Sequence, residues 1–366
     1  MRVLFDSFPK LRETLPHVAL AALPTPVRAW PELAAEAGCA ALYVKCDDLT
    51  GPEYGGNKVR KLEFLLGAAR ARGAQTVLTF GAAGSNHALA TAIYARRLGF
   101  GAISMLAPQP YTSAIPRNLL RGHAAGADLR LYLGRAAVAR GTVEEVVRAV
   151  REGTPRPYII PAGGSSPLGT VGFVNAGLEL AEQVRAGELP EPAALYVASG
   201  TMGTCAGLLI GLMVAGLKTE VHAVRVTAPP FTSPERARML FARTVGLLRR
   251  ADPGFPNLEF PEAQFRLREG FLGAGYARAT DAAREAVARV RAREGVTLEA
   301  TYTGKALACL LDDAPAGRLR GGPALFWNTY NSRPIGPEVK SVDHHQLPAA
   351  FHRYFGGAGP APDIRC

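Results

Sequence analysis

From Lys58 onward the apolar positions switch repeatedly between two periods. In "KVRKLEFLLGAARARG", Leu62, Leu65, Leu66 and Ala69 fall at helical spacing and Gly73 closes the segment. "TVLTF" (76–80) is a β-branched run that stops at Gly81, which predicts a strand. "SNHALATAIYARRLG" then reads as a helix capped by Ser85 or Asn86. The alternation goes on with strands at 102–106, 128–133, 157–164, 194–200, 220–228 and 323–328. Between them helices are predicted at 115–126, 142–153, 170–184, 203–216, 281–294 and 304–313.

This alternation calls for parallel sheets covered by helices on both faces. In such folds ligands gather beyond the carboxyl ends of strands. Three strand-to-helix turns are unusually small and polar: "FGAAGSNHA" (80–88), "PAGGSSPLG" (161–169) and "ASGTMGTCAG" (198–207). No fixed-period repeat or low-complexity segment interrupts the pattern, and the tail "GGAGPAPDIRC" reads as loose.

Composition narrows the function classes. A chain of 366 residues fits two domains or one large one, and 48% apolar against 20% charged residues describes a globular protein. The net charge of +11 comes from arginines scattered over helical stretches. A dense basic run with interleaved aromatics is missing, so nucleic acid is not expected as a partner, whereas a small anionic ligand is compatible. Cys39, Cys46, Cys205, Cys309 and Cys366 show neither CxxC nor metal-ligand spacing, so reduced thiols, a cytoplasmic location and no metal are expected. The N-terminus does not read as a secretory signal. "AGLLIGLMVAGL" (206–217) is too short to span a bilayer and reads as a buried helix, so no membrane partner is expected.

The turns supply the candidate chemistry. In "SGTMGTCAG", Gly200 and Gly203 let backbone N–H groups turn inward, Thr201 and Thr204 add hydroxyls, and a helix N-terminus follows. That is the physics of a phosphate cradle, though glycines here can equally serve helix–strand packing alone. The sequence is neither a Walker A loop nor GxGxxG, which disfavours a dinucleotide-binding dehydrogenase. Lys58 follows "GGN" at a bend, where a side chain can be aimed, although most lysines are solvated surface groups. His87 sits in a first helical turn, where a locally packed histidine is the expectation over a base. A lysine nucleophile, a phosphate cradle and polar helix starts together suit a phosphorylated aldehyde cofactor.

"YVKCDDLTGPEYGGNKVRKLEFLL", "GSNH", "GGSSPLGTVGFVNAGLELAEQ", "SGTMGTCAG" and "YTGKA" occur in this order. Together they resemble the pyridoxal-phosphate enzymes that group aminocyclopropane-carboxylate deaminase with D-cysteine desulfhydrase, over roughly Leu23 to Phe326. The resemblance implies fold type II: two three-layer α/β domains with mostly parallel sheets. The expected division is a small domain at 55–164 and a large one formed by 1–54 and 165–366, with the cofactor, pyridoxal 5'-phosphate, in the cleft between them. It also implies a homodimer acting on a small amino acid. Lys58 matches the Schiff-base lysine that also moves the α-proton. Asn86 matches the asparagine on the cofactor's ring hydroxyl, and Ser85 a serine at the substrate carboxylate or in proton transfer. Gly200, Thr201, Met202, Gly203 and Thr204 match the phosphate loop. Tyr302 matches the tyrosine beside the ring, and Tyr276 a second active-site tyrosine.

Substrate preference turns on two further features. The family's deaminases carry a glutamate after the ring tyrosine, and this chain has Thr303, as desulfhydrases do. A neutral group there stabilises an extended carbanion less, which favours α,β-elimination to a keto acid and ammonia. The desulfhydrases usually end the last strand in His-Thr-Gly-Gly. Here it reads "FWNTYNSRP", keeping Thr329 for the pyridine nitrogen while Tyr330 and Asn331 replace the glycines. Gly84 stands where the family has glutamine, so a reshaped pocket is expected. Arg333 is open between a substrate-carboxylate partner and a surface residue, and His344 and His345 between a pocket and a polar loop. The alternatives are ring-opening deamination, racemisation, or a non-catalytic binder of the cofactor or a metabolite.

Overall fold

A computed structural model describes residues 3–319, 321–334, 339 and 342–356. Cys366 and most of the tail expected to be loose lie outside the described residues. Contacts divide the chain into two units, residues 3–64 with Ser165–Arg333, and Leu65–Gly164 with the described residues from Pro334 on.

The first unit begins with α1 (Val3–Ser7), α2 (Lys10–Thr14), β1 (Val27–Ala29), α3 (Pro31–Ala37) and β2 (Leu42–Lys45). Helix α4 (Lys58–Ala71) leads into the second unit. That unit holds β3 (Thr76–Ala82), α5 (Asn86–Arg97), β4 (Gly101–Ala107), α6 (Ala114–Ala124), β5 (Ala127–Leu131), α7 (Arg135–Arg151) and β6 (Tyr158–Ile160). The chain returns to the first unit with α8 (Pro167–Arg185), β7 (Ala194–Ser199), α9 (Gly203–Ala215), β8 (Glu220–Arg225), α10 (Pro234–Ala251), β9 (Phe265–Arg268), α11 (Asp281–Glu294), α12 (Thr303–Asp313) and β10 (Ala324–Trp327).

The first unit's sheet has the order β1-β2-β10-β7-β8-β9, and every pairing is parallel except β1 with β2. Successive residues of β7 point to opposite faces. Leu195 and Val197 enter a core with α8, α9 and α10, while Tyr196 and Ala198 enter another with α3, α11 and α12. The result is a three-layer sandwich. Helix α9 is apolar all round because it is buried, as the sequence implies. The second unit's sheet, β5-β4-β3-β6, is parallel throughout. Val138 of α7 packs on Leu78, Ile103 and Met105.

The division differs from the expected one in two places. The boundary falls at Phe64/Leu65 rather than at Gly55, so Lys58 belongs to the first unit. The described C-terminal residues group with the smaller unit, where the Gln109 amide donates to the Tyr354 hydroxyl at 3.4 Å.

Candidate active site

The first unit collects one set of predicted residues at the carboxyl ends of β7 and β10. After β7, Gly200, Thr201 and Met202 make the turn into α9. Met202 has φ 64° and ψ −11°, left-handed backbone that costs a residue with a side chain about 1–3 kcal/mol. Among the described non-glycine residues only Ala277, beside Tyr276, shares a positive φ. The first amides of a helix lack intrahelical acceptors, and those from Gly200 to Thr204 meet no acceptor among the described residues. A Cβ on Gly203 would stand 2.6 Å from Ser165 Oγ and 3.1 Å from Lys61 Nζ, so the hollow requires glycine.

Side chains line this hollow. Ser165 Oγ and Thr201 Oγ1 share a hydrogen bond of 2.7 Å, and Lys61 Nζ donates to Ser165 Oγ at 3.1 Å. Asn57 Nδ2 donates to Thr204 Oγ1 at 3.2 Å. Burial, then the nearby charge of Lys58, push the Lys61 amine well below its ordinary 10.5. An anion in the turn would offset that desolvation. Open amides, hydroxyls, a buried amine and a hollow without Cβ fit a phosphate group.

Lys58 opens α4 and is half-buried, and burial lowers its amine to about 8. It makes no hydrogen bond or ion pair among the described residues. Its aim comes from both sides in sequence. A Cβ on Gly56 would lie 2.9 Å from the carbonyls of Thr329 and Tyr330, so "GGN" lets the chain pass against the turn after β10. Asn57 N donates to Thr329 O at 3.3 Å. Two residues beyond Lys58, buried Arg60 donates to both Asp47 (2.7 Å) and Glu179 (2.9 Å), while Lys45 Nζ lies 2.6 Å from Glu179. This buried set of two cations and two carboxylates pins the first turn of α4.

The "NTYNSRP" turn braces the same loop. Gly55 N donates to Asn331 Oδ1 at 2.6 Å, and Ser332 Oγ donates to Asp48 Oδ2 at 2.5 Å. Arg333 donates to the carbonyls of Gly51 (2.8 Å) and Leu49 (3.0 Å). Its guanidinium thus ties the turn to the backbone of the 49–51 segment. Asn331, which stands in place of a family glycine, is with Ser332 and Arg333 a structural staple of the segment that delivers Lys58.

Tyr276 and Tyr302 share a hydroxyl–hydroxyl hydrogen bond, with ring centroids 6.0 Å apart. Burial raises both phenols, so both stay protonated at neutral pH. Tyr302 precedes α12, whose first turn is capped by Glu299: its carboxylate accepts from Thr301 N (2.7 Å), Tyr302 N (2.9 Å) and Thr303 N (2.7 Å). Thr303 Oγ1 donates to Glu299 Oε1 at 3.0 Å. Lys305 Nζ, fully buried, donates to Leu272 O (2.7 Å) and Gly275 O (3.4 Å), tying down the loop that carries Tyr276.

The second unit holds the "GSNH" turn after β3. Ser85 is the N-cap of α5, its Oγ accepting from Ala88 N at 3.2 Å. Asn86 follows at the first helical position. His87 is buried and bonded to Thr79 Oγ1 at 3.0 Å, the packed histidine expected. Asp343 and His345 form an exposed pair at 2.8 Å with His344 adjacent, a polar turn in this unit.

A comparison with family models matches residues 18–329 to the pyridoxal-phosphate dependent enzymes. The chain belongs to that family. Its cofactor is pyridoxal 5'-phosphate, and it is an enzyme of the lyase and deaminase group. A Pyrococcus furiosus protein named as a candidate 1-aminocyclopropane-1-carboxylate deaminase is 36% identical over 326 residues, covering 88% of this chain and 94% of that protein. D-cysteine desulfhydrase of Salmonella paratyphi B is 34% identical over 319 residues, covering 86% and 93%. Among solved structures, a homologue of ACC deaminase aligns with a TM-score of 0.76 at 32% identity, covering 90% of this chain and 94% of that one. The family fold is thus the expected fold type II arrangement. No helix among the described residues is long and apolar enough to cross a membrane.

The sequence reading missed Lys61, Asn57, Ser165 and Glu299. Lys61 had a signal: three residues after Lys58 on a helix, it shares the same face. Ser165 lies in the "GGSSPLG" turn, where two adjacent serines carry no local signal that singles one out.

Proposed function

We propose that this enzyme converts a small amino acid with a β-leaving group, of the D-cysteine type, to a keto acid and ammonia. The overall change consumes one water and releases the leaving group with a proton. The reading is carried by one observation: a half-buried lysine with its amine lowered to about 8 sits on the same helix as a second lysine that faces an open-amide hollow.

Lys58 would hold the cofactor's aldehyde and, once displaced by substrate, take and return the α-proton. Near neutral pH a lowered amine presents a useful fraction of its neutral, nucleophilic form. Lys61, the amides from Gly200 to Thr204 and the hydroxyls of Thr201, Thr204 and Ser165 would hold the phosphate. Thr329 is assigned to the pyridine nitrogen, Asn86 to the ring hydroxyl and Ser85 to the substrate carboxylate or a proton relay. Tyr302 and Tyr276 keep a proton between two raised phenols, ready for a departing group. When bound, the cofactor acts as an electron sink that acidifies the α-carbon.

Elimination over ring opening is supported by Thr303. A ring-opening reaction needs a long-lived carbanion and so a carboxylate at the pyridine nitrogen. Residue 303 supplies none, and Glu299 is committed to the α12 amides. A homodimer is part of the same proposal, from the resemblance. The test is a panel of D-cysteine, β-chloro-D-alanine, D-serine and 1-aminocyclopropane-1-carboxylate, scored by keto acid released. Turnover of the first two with none of the last is expected. The reverse ranking refutes elimination.

A further inference from the structure

We infer that Asn118 is a positioning residue that fixes Asn86 as a hydrogen-bond donor toward the cofactor, an inference that rests on the role proposed for Asn86. The geometry lies wholly within the second unit. Asn118, on α6, is buried, and its Nδ2 stands 2.9 Å from Gly84 O and 2.9 Å from Asn86 Oδ1. Gly84 O is a backbone carbonyl and only accepts, so Asn118 must present its NH2 group there. The second hydrogen of that group then points at Asn86, and the facing Asn86 atom must be oxygen. Asn86 Nδ2 is thereby turned the other way as a pure donor, and it has no acceptor among the described residues.

An amide side chain alone is ambivalent, since rotation by half a turn exchanges donor and acceptor. The pyridoxal ring oxygen is an acceptor when ionised. An Asn86 free to rotate would offer it the wrong end part of the time. Asn118 removes that freedom and touches the cofactor only through Asn86. The turn itself is held separately: Gly84 N donates to Gln109 Oε1 at 3.0 Å, so loss of Asn118 leaves that anchor in place.

The test is a double-mutant cycle on the holoenzyme with Asn118→Ala, Asn86→Ala and the double variant. The readouts are the cofactor dissociation constant and the pH titration of the bound cofactor's visible band. Asn118→Ala should weaken cofactor binding about tenfold, the scale of one charge-assisted hydrogen bond, and shift the titration. In the Asn86→Ala background the same change should add less than twofold. Asn118→Asp, nearly the same size but unable to donate to both oxygens, should repeat the signature if alanine disturbs folding. Equal effects in both backgrounds, or none in either, overturn the inference. If Asn86→Ala leaves binding and the visible band unchanged, the inference falls while the enzyme reading stands. If the wild type shows no visible band, both fall.

Discussion

The buried charge set around Arg60 gives the sharpest energetic prediction. Burial alone would raise the Glu179 carboxyl, but Arg60 and Lys45 overcome it and hold it at about 2. Burial lowers the Lys45 amine, and the 2.6 Å contact with Glu179 works against that lowering. Glu179→Gln leaves two cations facing Asp47 alone in a site closed to water. Breaking such a set costs about 3–5 kcal/mol. The fall of the carboxyl from its ordinary 4.5 to about 2 independently corresponds to about 3 kcal/mol. The melting temperature should drop by roughly 10 °C, at about 2–4 °C per kcal/mol for units of this size. The pH dependence follows in sign. The folded state gives up this proton more readily than the unfolded chain, so the stability is full above about 4.5 and is lost as pH falls toward 2. The variant should therefore lose part of the acid-side slope in that window. Lys45→Met in the Glu179→Gln background restores charge balance and should recover part of the loss. Thermal and denaturant melts from pH 2 to 8 read all of this. A cost below about 1 kcal/mol at pH 7 would refute the claim that this network pins α4.

Three further changes test the site. Gly203→Ala puts a Cβ 2.6 Å from Ser165 Oγ and should weaken cofactor binding at least about tenfold by equilibrium dialysis, with little loss of fold. The rate at which apoprotein captures pyridoxal phosphate should rise with pH through an inflection near 8, where half of the Lys58 amine is neutral, and an inflection above 10 would contradict the lowered amine. Lys305→Met leaves the Leu272 and Gly275 carbonyls without their donor, so kcat should fall more than KM rises as the Tyr276 loop loosens.

Much of the fold was legible because its signals are local. Helix α11 matches the predicted 281–294, and α4 begins at the predicted Lys58. Helix α7 begins at Arg135, seven residues ahead of the predicted start, because Gly141 inside it reads in sequence as a break. Helix α10 was overlooked although Ser233 caps it, Pro234 opens it and Leu240, Phe241, Val245 and Leu248 form its buried stripe. Strands β1 and β9 are too short to show a period. In the site, the glycine turn and Lys58 announced themselves through backbone chemistry. The Lys45–Glu179 and Arg60–Glu179 pairs did not, since their partners lie more than a hundred residues apart. Arg333 stays open between a ligand and the surface in the sequence because no local pattern reveals its bonds to the carbonyls of Leu49 and Gly51.

The central claim is that one lysine carries the cofactor. Purified protein saturated with pyridoxal phosphate, reduced with borohydride and digested, should yield the cofactor's mass on the peptide containing Lys58, and Lys58→Ala should lack both that adduct and turnover. An adduct on another lysine with turnover intact in Lys58→Ala would contradict the account.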